Sequence, residues 1–340
     1  MVRNIPNGDT VVGIPAQSLS VHGEYLEVRR AEAAPVSESV RDIMWVAQQL
    51  AVRAAFSIVP IRSHLAFARL RSWKSEFSEV PAHIRENVIA ALGQQLDPSE
   101  IEAIARRYVE FSRRIYMMTD LPRHFGFQRA RPWELTGSEH LEAALSAGRG
   151  AILMTGHFGF GRMIGPVLRA EGYDTVAFRV MGRKETRMKD GLLRSAGHEI
   201  RAGLDIRPIF SALAQNRAVA LAGDGLRSSQ FVRLRLLGKE YPFPTGSMKI
   251  AMISGAPVLP AFALDGQRGR ACAIQILPPL QVDPNVSVKD NVERFAHVLD
   301  LQLQSRPHLW HRWGIGNVFE KVIEWSECDS RWNRSFTSWA

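Results

Sequence analysis

His157 lies in a glycine-rich stretch that directly follows a short apolar run, Ala151–Thr155. An apolar run bounded by glycines is typical of a fully buried strand. The glycines at 156, 159 and 161 let the chain turn sharply and let a ligand approach its backbone. Open α/β sheets place their chemistry just past the carboxyl ends of strands. An imidazole there can serve as a general base, since its unperturbed pKa is near ~6.5, although a lone histidine is more often a structural group.

A second candidate, Asp224, lies between two glycines just after another apolar run, Ala218–Ala222. Because it also follows the end of a predicted strand, it is our candidate for the carboxylate that orients the imidazole of His157. The alternative is a turn residue whose side chain caps local N–H groups, which is a common role for aspartate.

Several stretches together resemble the lipid A late acyltransferase family (lauroyl and myristoyl transferases), a branch of the lysophospholipid acyltransferase superfamily. The resemblance is carried by Gly137–Leu145, by Gly156–Gly159, by residues 218–260 and by the Trp-His-Arg-Trp sequence of Trp310–Trp313. It covers roughly residues 43–313. It implies a glycerolphosphate acyltransferase-like fold, in which a central mixed sheet is flanked by helices and preceded by a helical N-terminal portion.

The resemblance also implies the reaction and the central role of His157. A fatty acyl group would move from an acyl carrier protein or coenzyme A thioester to a hydroxyl or amine of a glycolipid or related lipid-like acceptor. The histidine would take the proton of the acceptor, and backbone N–H groups of the glycine turn or the next helix would stabilise the oxyanion. The acyl donor is a co-substrate, and we expect no other cofactor and no metal.

Arg162 departs from the family pattern, which has Glu or Asp five positions after the histidine. A positive charge near the imidazole opposes formation of the imidazolium. We therefore expect either that Arg162 points away while Asp224 orients the histidine, or that Arg162 binds the donor's phosphates. The alternative function is a catalytically impaired homologue that binds lipid or acyl chains without turning them over.

Five further residues are candidates for substrate binding. Arg179 ends a predicted strand and, with Arg227, offers the planar guanidinium that suits phosphate oxygens. In the resembling family a Phe-rich hairpin and a helix of small residues line the acyl pocket, and Phe231 and Ser247 fall in that segment. With the turn glycine of the His157 stretch, the set is Gly159, Arg179, Arg227, Phe231 and Ser247.

The order of predicted elements indicates an α/β protein. Asp97-Pro98-Ser99-Glu100 predicts a capped helix start, and short apolar strands alternate with helices from residue 136 onwards. We expect four parts: a disordered tail over 1–36, a helical portion over 37–130, the acyltransferase domain over 131–325 and a C-terminal tail over 326–340.

Charge and composition suggest where the chain works. The net charge of +9 favours an anionic partner, while no nucleic-acid-binding motif is present and we expect no nucleic acid partner. The apolar segment Ile43–Pro60 is interrupted by polar residues, so it predicts an interfacial helix or a core helix. Arginines also line one face of the helix after Pro98, where they either contact anionic lipid or are merely solvated. We expect the cytoplasmic face of a bacterial inner membrane, with peripheral or N-terminally anchored attachment.

Overall fold

A computed structural model of the chain divides into two compact units, Met1–Val59 and Pro60–Ala340. The residues that it describes are 11–12, 17–18, 60–61, 63, 66, 79–123, 126–179, 200–202, 206–226, 228, 230–267 and 269–329. In the first unit, strands β1 (Val11–Val12) and β2 (Gln17–Ser18) pair in antiparallel fashion. The segment 43–59 and the tails predicted at both ends lie largely outside the described residues.

The second unit begins with a helical portion. It contains helices α1 (Ala82–Leu92), α2 (Pro98–Asp120) and α3 (Phe127–Ala130). The predicted capping box at the start of α2 is present: the Asp97 side chain accepts from Ser99 N and Glu100 N, and the Glu100 side chain accepts from Asp97 N. The apolar face of α2 packs into the core through residues that include Ile101, Tyr108 and Phe111.

Strands and helices then alternate, as the sequence predicted. Their order is β3 (Trp133–Thr136), α4 (Ser138–Ser146), β4 (Ala151–Thr155), α5 (Ile164–Ala170), β5 (Thr175–Arg179), β6 (Ile200–Ala202), α6 (Arg207–Ala214), β7 (Ala218–Ala222), β8 (Phe231–Leu236), β9 (Lys239–Pro244), α7 (Gly246–Ser254), β10 (Val258–Asp265), β11 (Cys272–Ile276), α8 (Val288–Ser305) and α9 (Val318–Asp329). The helix predicted over residues 183–195 lies outside the described residues.

Seven strands form one mixed sheet in the order β3-β11-β10-β4-β7-β5-β6. The strands β10, β4, β7, β5 and β6 run parallel, whereas β11 is antiparallel to β10 and parallel to β3. The strands β8 and β9 form a separate antiparallel hairpin. The predicted fold class, an α/β protein with a central mixed sheet and a helical N-terminal portion, is therefore confirmed.

The core lies around the middle of the sheet. Every residue of β10 except its last is buried, and so are the first four residues of β4, because neighbouring strands and helices cover both faces. The strands β4, β7 and β10 are therefore rigid, and their carboxyl ends lie side by side at one edge of the sheet. His157 and Asp224 each follow one of these ends by two residues.

Candidate active site

His157 and Asp224 meet at the carboxyl edge of the sheet. The ring Nδ1 of His157 lies 2.7 Å from Asp224 Oδ1, and the backbone N–H of His157 donates to both carboxylate oxygens at 2.9 and 2.8 Å. One carboxylate thus fixes both the main chain and the ring of the same residue. With Nδ1 engaged, Nε2 is the nitrogen left for a substrate, and the His157 side chain is 38% exposed.

The pairing of β4 with β7 explains why these two residues meet. Thr155 lies opposite Ala222 at the ends of the two strands, and Gly223 N donates to Thr155 O at 2.7 Å. The main chain then passes very close to α8: a Cβ on Gly223 would lie 2.3 Å from the Phe295 ring. Only glycine allows this approach, which sets the position of Asp224.

The carboxylate of Asp224 is fully buried yet remains charged. Burial alone would raise its pKa, but the charge and hydrogen bonds of His157, with the positive charge of Arg312, lower the pKa of Asp224 to about 2. A buried carboxylate held in this state can fix the tautomer of an imidazole and stabilise the imidazolium, as the aspartate of a serine-protease triad does.

The segment after α8 contacts the histidine turn. His311 N donates to His157 O at 2.9 Å, and His311 Nε2 lies 2.7 Å from Gly159 O. Because a carbonyl only accepts, Nε2 carries the hydrogen in this contact. Burial lowers the pKa of His311 to about 4, so its ring is neutral at pH 7.

The same segment also contacts the loop of Asp224. The Asp224 carbonyl oxygen accepts from Arg312 Nη2 and from the Tyr241 hydroxyl, both at 3.3 Å. Burial raises the pKa of Tyr241 far above its usual value, which keeps the phenol protonated and able to donate. Five residues, which come from the turns after β4 and β7, from β9 and from the C-terminal segment, therefore share one hydrogen-bonded network: His157, Asp224, Tyr241, His311 and Arg312.

The turn after His157 is closed by its own backbone. Gly159 has a φ of +58°, and a Cβ there would lie 2.0 Å from Ala263 O, so the turn requires glycine. Gly159 N donates to Leu309 O and Phe160 N donates to Ala263 O. Three amides that the sequence offered as oxyanion donors, those of residues 157, 159 and 160, thus have acceptors within the protein.

Arg162 stands at the position where the family motif has a carboxylate. It lies on the 3-10 helix Gly161–Met163 and is exposed. The contacts of the His157 imidazole that the structure describes come instead from Asp224 and from the edge of the His311 ring, whose centroid is 6.4 Å away.

Ser247 and Phe231 lie beside the Asp224 loop. Ser247 is half-buried near the start of α7, and its hydroxyl donates to Ala222 O at 3.3 Å. Phe231 opens β8 and pairs with Pro244. A tight void, too narrow to admit a water molecule, adjoins this region, and it is lined by Met154, Gly223, Pro244, Ser247, Met248, Val292 and Phe295.

The two remaining candidates are only partly described. Arg179 ends β5, as predicted, and its side chain lies outside the described residues. Arg227 lies outside them altogether. Among the residues that the structure describes, no cluster of three or more His, Cys, Asp or Glu side chains could hold a metal ion.

Sequence reasoning named the Trp-His-Arg-Trp stretch as a family fingerprint but not as part of the site. Its His311 and Arg312 contact the two residues at the centre of the site, and Tyr241 of β9 was not singled out. This fingerprint was the signal that could have identified them, because tryptophans are usually well buried and would hold the histidine and arginine between them in fixed positions.

Comparison with known proteins identifies a family and two relatives. The model of the family described as bacterial lipid A biosynthesis acyltransferase matches residues 39–313. Two relatives are phosphatidylinositol mannoside acyltransferases of Mycobacterium tuberculosis, from strains ATCC 25618 / H37Rv and CDC 1551 / Oshkosh. Each is 27% identical over 247 residues, which cover 68% of this chain and 75% of the relative.

Proposed function

The chain belongs to the bacterial lipid A biosynthesis acyltransferase family and is an acyltransferase, and we propose that its acceptor is a glycolipid and its donor a fatty acyl thioester. The observation that carries this proposal is the His157–Asp224 pair, with Nδ1 bound to a buried carboxylate and Nε2 left for substrate. The donor is acyl carrier protein or coenzyme A, and the acceptor group is a hydroxyl or an amine.

The reaction proceeds by direct transfer. His157 Nε2 takes the hydroxyl proton as the acceptor oxygen attacks the thioester carbonyl, forming a C–O bond. The tetrahedral intermediate then expels the thiolate as the C–S bond breaks, and the imidazolium returns the proton to sulfur. Asp224 stabilises the imidazolium between these steps through the 2.7 Å contact with Nδ1.

Asp224 fills the orienting role that the position of Arg162 leaves open. The exposed Arg162 side chain then serves a different purpose, the binding of phosphate groups on the donor or acceptor. Arg179 and Arg227 have the same role in this proposal, which agrees with the net charge of +9.

The acyl chain enters the apolar space between α7 and α8. The tight void adjoins Gly223, the residue before Asp224, so a chain that widened it would have its carbonyl near the His157–Asp224 pair. Apolar side chains of Met154, Met248 and Phe295 line the void. Ser247 lines this void and Phe231 pairs with Pro244 at its edge, while Gly159 would contact substrate at the turn after His157.

The nature of the acceptor is supported by the relatives. The names of the two mycobacterial proteins specify phosphatidylinositol mannoside, a phosphorylated glycolipid. A basic protein suits such a headgroup. We place the enzyme at the cytoplasmic face of a bacterial inner membrane, attached peripherally or through its N-terminal segment.

Transfer of radiolabelled palmitate tests the proposal. Palmitoyl-coenzyme A and palmitoyl-acyl carrier protein are each offered with phosphatidylinositol mannoside, with a lipid A precursor, or with sugar-free phosphatidylinositol as control. We expect label in at least one sugar-bearing lipid and none in the control. His157→Ala abolishes transfer, and Asp224→Asn lowers kcat by about 10³- to 10⁴-fold, as in a serine-protease triad.

A second function, lipid binding without turnover, is favoured by a single feature, the arginine at position 162. Arg162→Glu separates the two functions, because it restores the family carboxylate. Wild-type transfer that Arg162→Glu does not increase supports the enzyme. A wild type that is inactive with every donor, together with activity gained by Arg162→Glu, supports the binding protein. Wild-type transfer unaffected by His157→Ala contradicts the assigned base.

A further inference from the structure

The segment Trp310–Trp313 contacts both halves of the site from one short stretch of chain. We propose that His311 and Arg312 are positioning residues for the His157–Asp224 dyad. His311 holds the turn that carries His157, and Arg312 holds the loop that carries Asp224. The expected effect on kcat rests on the proposed function, whereas the expected effect on the geometry of the His157–Asp224 pair does not.

His311 holds its turn at two carbonyl groups. Its backbone N–H donates to His157 O at 2.9 Å and its ring donates to Gly159 O at 2.7 Å. Gly159 N donates back to Leu309 O at 2.9 Å, so three residues of the turn pair with the C-terminal segment like a short antiparallel ladder. Since the neutral ring has a single N–H, its use on Gly159 O also fixes the tautomer of His311.

Arg312 holds the neighbouring loop. Its Nη2 donates to the Asp224 carbonyl at 3.3 Å, and the Tyr241 hydroxyl donates to the same oxygen. The guanidinium thus fixes the main chain of Asp224, while its charge favours the ionised carboxylate that faces the imidazole. Loss of this contact would free the loop to rotate the carboxylate away from Nδ1.

The two contacts form one unit because the segment itself is rigid. Trp310 and Trp313 flank the pair, are fully buried, and pack edge to face with ring centroids 4.7 Å apart. Phe158, the residue between His157 and Gly159, is also fully buried and forms a bridge with Trp310. Because His311 and Arg312 are adjacent on this segment, they fix the distance between the loops that carry His157 and Asp224.

Kinetics test the proposal with matched substitutions. His311→Phe keeps a ring without the donor, and Arg312→Met keeps length without the charge. Each should lower kcat by about 10- to 100-fold, the usual cost of losing an orienting partner, with KM changed by less than about threefold. His311→Gln and Arg312→Lys restore a donor and should recover most of kcat. His297→Phe and Arg129→Met, at exposed positions, are the controls.

A double-mutant cycle distinguishes positioning from general destabilisation. In the Asp224→Asn variant, Arg312→Met should lower kcat by less than about twofold, because the carboxylate that Arg312 positions has already been removed. An undiminished loss on that background, or an unchanged kcat in both single variants, overturns the proposal. Urea unfolding of every variant shows that the fold is retained.

A spectroscopic measurement decides the geometry without any acyl transfer. In protein labelled with ¹⁵N-histidine, and assigned with His157→Ala, the neutral His157 ring should show the Nδ1–H tautomer. Arg312→Met and His311→Phe should each convert it to a mixture with the Nε2–H tautomer, whereas His297→Phe should not. If both variants keep the wild-type tautomer of His157, the proposal is overturned. If both shift it, the proposal is upheld. Neither result depends on finding an acceptor that the protein acylates.

Discussion

Asp224 shows how one residue can compensate for a change elsewhere in a motif. Its carboxylate accepts from the backbone N–H of His157 and lies against the ring Nδ1, so a loop after another strand supplies the carboxylate that position 162 lacks. The residue that follows, Gly225, has nothing within 4 Å of where its Cβ would be, so the space beside the dyad is open. A short loop between a strand and open space is a suitable place for a reacting group.

The half-buried ring of His311 makes stability depend on pH. Its pKa is lowered from 6.5 to about 4 by burial, so the folded state binds fewer protons than the unfolded state between those values. Stability is then fully present above pH 6.5 and falls as the pH drops toward 4, at up to ~1.4 kcal/mol per pH unit. His311→Gln keeps a donor for Gly159 and removes this titration.

Urea unfolding of wild type and His311→Gln at pH 7, 6, 5 and 4.5 measures the difference. The free energy of unfolding of wild type should fall by up to about 3 kcal/mol more than that of the variant over this range. Carboxylates titrate in both proteins, so their contribution cancels in the comparison. Parallel curves would mean that His311 is not buried in its neutral form.

At the scale of elements, the turn between β4 and α5 depends on one glycine. Gly159→Ala brings a Cβ within 2.0 Å of Ala263 O of β10 and places alanine at a φ of +58°. We expect a loss of more than about 2 kcal/mol in unfolding free energy, since overpacking and backbone strain both contribute. Gly161→Ala is the matched control, because its Cβ meets only ordinary contacts at 3.6 Å or beyond. Equal stability of the two variants would contradict this account.

The helix α7 offers a test of the acyl site. Met248 lines the void beside Gly223, whereas Ile253 of the same helix is 74% exposed. Met248→Ala removes side-chain volume from the void, so the preferred acyl chain should lengthen by two or more carbons, and Ile253→Ala should leave the preference unchanged. Competition among acyl-coenzyme A donors of 10 to 18 carbons measures it. An unchanged preference in a folded Met248→Ala protein would move the acyl site elsewhere.

The sequence predicted the strongly periodic elements and failed where context overrides pattern. The strands β4 and β7 match the predicted bounds because apolar runs between turns have few alternatives. The strand β9 was missed because it contains Pro242 and Pro244, which argue against a strand, and a two-stranded hairpin tolerates them at its edge. The edge strand β3 was missed because its four residues carry only a partial burial pattern.

The site was predictable only in part for a related reason. The local sequence shows that His157 and Asp224 each follow a predicted strand, and this was enough to suggest that the two side chains pair. The local sequence does not show that β4 and β7 are neighbours, because this depends on the strand order of the sheet. His311 contacts Gly159 across 152 positions and Arg312 contacts Asp224 across 88, both from a segment of 3-10 helix, so no periodicity could have assigned these contacts.

At the scale of the whole molecule, two arginines of α2 pair with carboxylates and a third contacts a histidine. Arg106 pairs with Glu102 at 2.9 Å, Arg114 with Asp265 at 2.8 Å, and Arg107 Nη2 lies 3.2 Å from His308 Nε2. Arg106 and Arg107 remain exposed, so lipid contact and solvation both stay open for them, whereas the half-buried Arg114 is held by Asp265. Among the residues that the structure describes, no helix combines the length and apolar character needed to cross a membrane.

Membrane attachment is then expected to depend on the net charge of +9 and on the apolar segment 43–60. Each basic residue near an anionic surface contributes about 1 kcal/mol, and salt screens that attraction. Flotation should show binding to phosphatidylglycerol vesicles in 50 mM salt, a loss of more than tenfold in 500 mM salt, and little binding to phosphatidylcholine. A variant with Trp45→Glu and Phe56→Glu should weaken the apolar contribution to binding. Equal binding to neutral and anionic vesicles would assign attachment to the apolar segment alone, and binding to neither would exclude peripheral attachment by this chain.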